Sequence, residues 1–197
     1  MRRTQFMLLD ATIAAAIFLP LFYWLNKRYF HSKRRTIWYF MLAVYLSGVY
    51  AVVGLPDIRY ARFDLHFNFI PFAYMFSDYR SSLLNVLLFI PLGFFLPVFG
   101  QRYKNLGWTL LFGLGLSMVI ETMQIFTLRA TDINDLITNT AGALVGWCFG
   151  RLFGRLCPVY PLEERSQPVR MVFLICFLVM FFLHPFFADA VFFLLPL

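Results

Sequence analysis

The stretch "RATDINDLITNTAGALVGW", residues 129–147, gathers Arg129, Asp132, Asn134 and Asp135 within seven positions and then runs into an apolar segment. The chain around it is 61% hydrophobic and 14% charged, with 26 Phe among 197 residues. A soluble domain would be roughly 45–50% apolar, with about a quarter of its residues charged. Lipid is therefore the expected solvent, and polar side chains at the mouth of an apolar helix are costly there unless they cap, pair or bind something.

Working outward, the apolar run that starts at residue 133 continues to about 153 and reads as a spanning helix, since a span needs roughly 20 apolar residues. The same criterion predicts spans over about 6–25, 36–55, 82–99 and 106–126. The segment 6–25 is too long for a signal-peptide core and is expected to remain in the mature chain. Gly54-Leu55-Pro56 ends the second span. The third carries Asn85 and three irregularities, Pro91, Gly93 and Pro97. Residues 171–197 are apolar but contain His184-Pro185 and Asp189, so they read as one kinked span or a re-entrant hairpin, and the kinked span is favoured. Loop two, residues 56–81, mixes charges with FNFIPFAYMF, which is too short to cross and reads as an interfacial or re-entrant segment. The fold class is all-α: a polytopic transmembrane bundle of five to six spans, organised as a single membrane domain over 1–197.

The net charge of +7 and a pI near 9.6 do not point to nucleic acid, because the basic residues lie between apolar runs. They report topology instead. Eleven of the 17 Lys and Arg fall in loops one, three and five: Lys27, Arg28, Lys33, Arg34, Arg35; Arg102, Lys104; and Arg151, Arg155, Arg165, Arg170. Cytoplasmic loops carry that excess. The N-terminus and loops two and four are thus expected outside, with Arg2 and Arg3 as the exceptions to the pattern. Cys148, Cys157 and Cys176 form no CxxC pair, and two of them lie in apolar segments, so neither a disulfide framework nor a metal site is expected. No cofactor is implied.

Spacing selects the candidate site. Ser117, Glu121 and Gln124 fall at i, i+4 and i+7 of the fourth span, and Asp135, Asn139, Gly142 and Gly146 at i, i+4, i+7 and i+11 of the fifth, so each set shares a helix face. The short return between them, Phe126 to Ile133, makes the two helices antiparallel neighbours whose polar faces can meet. Small residues let helix backbones approach in lipid. Glu121 near hydrocarbon would cost about 2.5–3.5 kcal/mol on insertion scales unless paired or neutral, and Arg129 is its obvious partner. Each residue also has a plainer reading. Asp132 can serve as an N-cap, with Asp135 completing a capping-box-like pattern; Glu121 with Arg129 can be a structural ion pair; Asn139 and Asn85 can be interhelical hydrogen-bond glue. Asp10 reads as interfacial, His184 as a local feature beside Pro185, and His31 and His66 as loop residues.

Several blocks together carry a family resemblance: "NFIPF" at 68–72, "NVLLFIPLGFFLP" at 85–97, "SMVIETMQIF" at 117–126 and "RATDINDLITNTAGALVGW" at 129–147. In order and spacing, over about residues 36–154, the chain resembles the VanZ family of small multi-span bacterial membrane proteins, named for a member associated with resistance to the glycopeptide teicoplanin. The resemblance marks Asn68, Pro71, Asn85, Pro91, Gly93, Glu121, Gln124, Arg129, Asp132, Asp135, Asn139 and Gly142 as motif positions. It assigns them no chemistry.

The expectation is a multi-pass protein of the bacterial cell membrane with an outward polar pocket formed by Asn68, Asn85, Glu121, Gln124, Arg129, Asp132, Asp135 and Asn139. Its partners would be membrane lipids and a lipid-linked or lipoglycopeptide ligand, with Arg129 suited to an anionic head group. The alternative is an intramembrane enzyme using Glu121 and Asp135 as general acid and base. Against it, the sequence has no HExxH, no nucleophile with a partner His and no phosphate-binding glycine loop. A small transporter is less favoured, since no inverted repeat is visible beyond FIP at 69–71 and 89–91.

Overall fold

A computed structural model describes residues 2–53, 67–68, 70–72, 79–125, 131–157, 167–187 and 190, with the side chains of 12–53, 70–72, 79–125, 132–157, 168–187 and 190. The architecture is all-helical apart from one two-residue pairing. The described residues form α1 (Arg2–Leu25), α2 (Lys33–Val53), β1 (Phe67–Asn68), α3 (Tyr79–Phe99), α4 (Leu106–Gln124), β2 (Thr131–Asp132), α5 (Ile133–Leu156) and α6 (Gln167–Leu178). Among the described residues, four helical segments are long and apolar enough to cross a membrane: Lys33–Val53, Tyr79–Phe99, Leu106–Gln124 and Pro168–Phe187. The chain divides into two compact units, residues 1–60 with 170–197, and residues 61–169.

In the first unit α1 and α2 form a helical hairpin. Ala14, Phe18, Phe22 and Leu25 recur every three or four residues and are buried on one face of α1. Phe22 meets Phe40 of α2 edge-on, with ring centroids 6.2 Å apart. Between the helices, Asn26–Phe30 widens into a π-turn, and His31 takes a left-handed conformation with φ 48°. The His31 N–H donates to the Asn26 carbonyl at 2.8 Å, and the Asn26 side-chain oxygen accepts from the Ser32 N–H at 2.9 Å. His31 is thus a fixed hinge point of this return, where the sequence suggested an ordinary loop residue. Its left-handed backbone lets the chain reverse within a few residues.

Along α6 and the turn that continues it, Val172, Cys176 and Met180 lie four apart and are buried. The helix continues through a π-segment, Val179–Leu183, into residues 184–187. Pro185 explains the widening. Its ring lacks an N–H and crowds the carbonyl four residues back, so the preceding turn loosens and the His184 N–H bonds to Val179, five residues back. The segment is continuously helical through residue 187, and the choice between a kinked span and a re-entrant hairpin turns on residues beyond it that, like Asp189, lie outside the described residues.

In the second unit α5 packs against both α3 and α4. A Cβ on Gly142 would strike the carbonyl oxygen of Val86, one on Gly146 that of Ile90, and one on Gly150 that of Phe94. This constant offset of 56 shows that α3 and α5 run parallel with their backbones touching. Gly93 completes the seam from the α3 side, since a Cβ there would strike the Ala143 carbonyl. The glycines therefore serve α3, whereas the sequence reading put them on the face meeting α4. Against α4 the register is antiparallel: Ser117 pairs with Asn139, and a Cβ on Gly113 would lie 3.0 Å from that of Ala143. α3 also remains helical through Pro91 and Pro97. The irregularities expected there cause no break, because neighbouring helices can accommodate the freed backbone groups.

The outer faces of these three helices stay apolar and exposed, through Leu83, Leu84 and Leu87 on α3, Leu111, Met118 and Val119 on α4, and Leu144, Phe149 and Leu152 on α5. Water would oppose so extensive an apolar surface, and lipid does not. Polar groups gather at the two ends of the unit instead. Arg102, Lys104, Arg151 and Arg155 lie at the end where α3 hands over to α4, and Glu121, Asp132 and Asp135 lie at the other.

Candidate functional site

The cluster begins with a helix start. Asp132 is the N-cap of α5: its backbone is extended, and its carboxylate accepts from the Asn134 N–H at 2.9 Å. In a capping box the cap's own N–H would bond to the side chain of the third following residue, here Asp135. The Asp132 N–H instead donates to Oε2 of Glu121, in the last turn of α4, at 3.1 Å. A carboxylate from a neighbouring helix has moved into the first turn of α5. Glu121 is only 3% exposed. The positive end of the helix dipole and a charge-assisted hydrogen bond offset its desolvation, the second by about 1.5–3 kcal/mol.

A second strand of chain joins the same point. β1 pairs in parallel with β2, with Phe67 opposite Thr131 and Asn68 opposite Asp132. Four residues beyond Asn68, the Phe72 N–H donates to the Asn134 side-chain oxygen at 2.6 Å. Phe72 holds φ 62°, a left-handed backbone that costs a non-glycine residue about 1–2 kcal/mol. The bond to Asn134 helps hold that turn, and it leaves Ile70 and Phe72 exposed beside the polar groups. The blocks at 68–72, 117–126 and 129–147 thus converge through main-chain and side-chain bonds.

Below the cap runs a buried polar seam between α4 and α5. The Asn139 side-chain N–H donates to Ser117 Oγ at 2.9 Å, and both residues are buried. The Asn139 carbonyl oxygen is buried without a hydrogen-bond partner. Thr138, also buried, returns its hydroxyl to the carbonyls of Asn134 and Asp135. The register that sets Ser117 against Asn139 and Gly113 against Ala143 brings Glu121 to the level of Asp135. Gln124, 6% exposed, closes the last turn of α4.

The structure therefore brings Glu121, Gln124, Asp132, Asp135 and Asn139 to one end of the α4–α5 pair. Asn68 joins them by its backbone, and its side chain lies outside the described residues. Arg129 also lies outside them, and with it the proposed Glu121–Arg129 pair; so do His66 and the side chain of Asp10. By the α3–α5 register Asn85 lies level with residue 141 of α5, about 3 Å further along the axis from the cap than Asn139. It is half-buried on α3.

Sequence reasoning missed Asn134 as a site residue and Phe72 as its partner. Asn134 lies off the 135/139 face, so periodicity gave no signal for it. Its position two residues after a cap and beside two carboxylates was the available hint.

The family model described as VanZ/LLP1 matches residues 11–155. "Protein VanZ" of Enterococcus faecium is 36% identical over 115 residues, covering 54% of this chain and 68% of that protein. No solved structure matches.

Proposed function

The chain belongs to the VanZ family, and on that premise we propose that it is an envelope protein whose polar cluster binds a lipid-linked or lipidated amphiphile and blunts its action. It is a multi-pass membrane protein. Under this reading it lies in the bacterial cytoplasmic membrane with five or six spans, and the cluster faces outward. Support for that orientation comes from Arg102, Lys104, Arg151 and Arg155 at the far end of the second unit, since the cytoplasmic side carries the Lys and Arg excess.

The observation that carries the proposal is the buried Glu121 carboxylate docked on the first turn of α5. An acidic side chain inside a membrane bundle is a functional candidate by default. Glu121, Asp132 and Asp135 make the described cluster a set of hydrogen-bond acceptors, which suits a headgroup rich in hydroxyl, amide or ammonium donors, such as a glycopeptide. The exposed Ile70 and Phe72 beside it offer apolar surface to an acyl chain. The family's association with teicoplanin makes that lipoglycopeptide the first ligand to test.

The experiment expresses the full chain and its Glu121→Gln and Glu121→Ala variants in a teicoplanin-susceptible host. Wild type raises the inhibitory concentration, and Glu121→Ala abolishes the increase. Glu121→Gln, which keeps an acceptor for the Asp132 N–H, retains part of it. The drug is recovered chemically intact. Recovery of altered drug, together with complete loss in Glu121→Gln, would replace binding with acid–base catalysis by Glu121 and Asp135. A wild-type chain that leaves susceptibility unchanged and binds no teicoplanin would remove the ligand assignment.

A further inference from the structure

The opposite end of the second unit gathers cations beside two tryptophans. The turn from α3 into α4, Gln101–Lys104, is tied down at the Tyr103 carbonyl, which accepts from the Thr109 hydroxyl at 2.7 Å and from the Trp147 indole N–H at 3.2 Å. These bonds bring α5 against the turn. Arg102 stands over the Trp108 ring, its guanidinium carbon 3.4 Å from the centroid, and Arg151 stands 5.9 Å from the Trp147 ring. A guanidinium held over an indole face keeps its N–H edges available for bidentate contact with an oxyanion. Lys104 follows two residues later, and Arg155 lies one turn beyond Arg151.

No carboxylate among the described residues pairs with these four cations. Glu121 and Asp135 are the acidic residues nearest along α4 and α5, and both belong to the far end. Over its 19 residues α4 extends about 27 Å, close to the roughly 30 Å of a hydrocarbon core. The patch therefore sits at the other membrane–water boundary from the polar cluster, the depth that tryptophan favours.

An apolar track leaves the patch along the same helix. Trp108, Leu111, Gly115 and Met118 are spaced three, four and three residues apart and are all exposed. Above Gly115 there is open space, with nothing within 4 Å of where a Cβ would stand. We propose that an anionic phospholipid binds here, its phosphodiester held by Arg102 and Lys104 with Arg151 close by, and one acyl chain lying along Trp108, Leu111, Gly115 and Met118. A zwitterionic lipid offers the same phosphate but brings a compensating cation into a patch where no carboxylate among the described residues receives it. The site is independent of the ligand assigned to the polar cluster.

The test uses the full chain in nanodiscs made with equal amounts of phosphatidylglycerol and phosphatidylcholine, with retained lipid read by native mass spectrometry. Wild type retains phosphatidylglycerol preferentially. Arg102→Gln with Lys104→Gln lowers the enrichment by about fivefold per charge removed, the equivalent of about 1 kcal/mol for each Lys or Arg near an anionic surface. Trp108→Leu, which removes the indole face but no charge, gives an intermediate loss. Arg80→Gln, at the far end of α3, changes nothing, and circular dichroism verifies that each variant is folded. Excess inorganic phosphate leaves the enrichment in place. Displacement of the lipid by inorganic phosphate would overturn the lipid assignment in favour of a free-anion site. Absence of enrichment in wild type, or an equal loss from Arg80→Gln, would mean that the cations are merely solvated and would overturn the proposal.

Discussion

Gly146→Ala probes the tightest of the glycine contacts among the described residues. The added methyl would strike the Ile90 carbonyl oxygen and stand 2.8 Å from the Phe94 nitrogen and 2.9 Å from the Ile90 carbonyl carbon, where ordinary contact begins at 3.4 Å. All three atoms are backbone, so no side chain can swing aside. α3 and α5 must separate by roughly 1 Å, a gap large enough to forfeit a quarter to a half of each affected dispersion contact. Overpacking of this kind costs about 1–3 kcal/mol, while replacing a helical glycine returns about 1 kcal/mol of propensity. The expected net effect is a destabilisation of about 1–2 kcal/mol. Gly115→Ala supplies the contrast, because nothing lies within 4 Å of its Cβ position; it should stabilise by up to about 1 kcal/mol. Both variants can be measured by SDS-titrated unfolding in mixed micelles, with helicity as the signal. The argument fails if Gly146→Ala is as stable as wild type, or if the two alanine variants shift together.

The other expectations concern the cluster and its seam. Asp132→Ala removes the cap and should lower stability by about 1 kcal/mol, whereas Asp132→Asn, an equally good cap, should stay within a few tenths of wild type in the same unfolding assay. Asn134→Ala deprives the Phe72 N–H of its acceptor and loosens the strained turn; faster proteolysis near residue 72 would show it, and an unchanged cleavage rate would count against the bond. Ser117→Ala leaves the buried Asn139 amide without its acceptor and should cost about 1–3 kcal/mol. Combining it with Asn139→Leu should recover most of that loss, since removing both partners also removes the orphaned carbonyl oxygen; a double variant no more stable than Ser117→Ala would refute this reading of the seam.

Much of the bundle was legible because lipid writes long signals. The helices lie within a few residues of the apolar runs, and they extend further into flanking polar residues, as at Lys33 and Tyr79. The cap at Asp132 was legible from residue type alone. The partner of each helix face was not. A helical wheel placed Asn139, Gly142 and Gly146 together, but α5 lies against two helices, and a turn of about 60° between positions 139 and 142 separates the α4 side from the α3 side. The pairing of Phe67–Asn68 with Thr131–Asp132 had no sequence signal either, because two residues are too few for a period-2 pattern. Glu121 was singled out for its cost in lipid; its acceptance of the Asp132 N–H depended on a tertiary contact that no local pattern encodes.

The central claim is that Glu121, Asp132 and Asn134 frame an outward binding site at the start of α5. Its most direct test places a cysteine at Thr131, in a chain whose Cys148, Cys157 and Cys176 have been replaced, and follows its reaction with a membrane-impermeant maleimide in intact cells. The account expects labelling from outside, slowed by teicoplanin in a dose-dependent way and no longer slowed once Glu121 is also changed to alanine. Labelling only after permeabilisation, or a rate indifferent to teicoplanin, would contradict it.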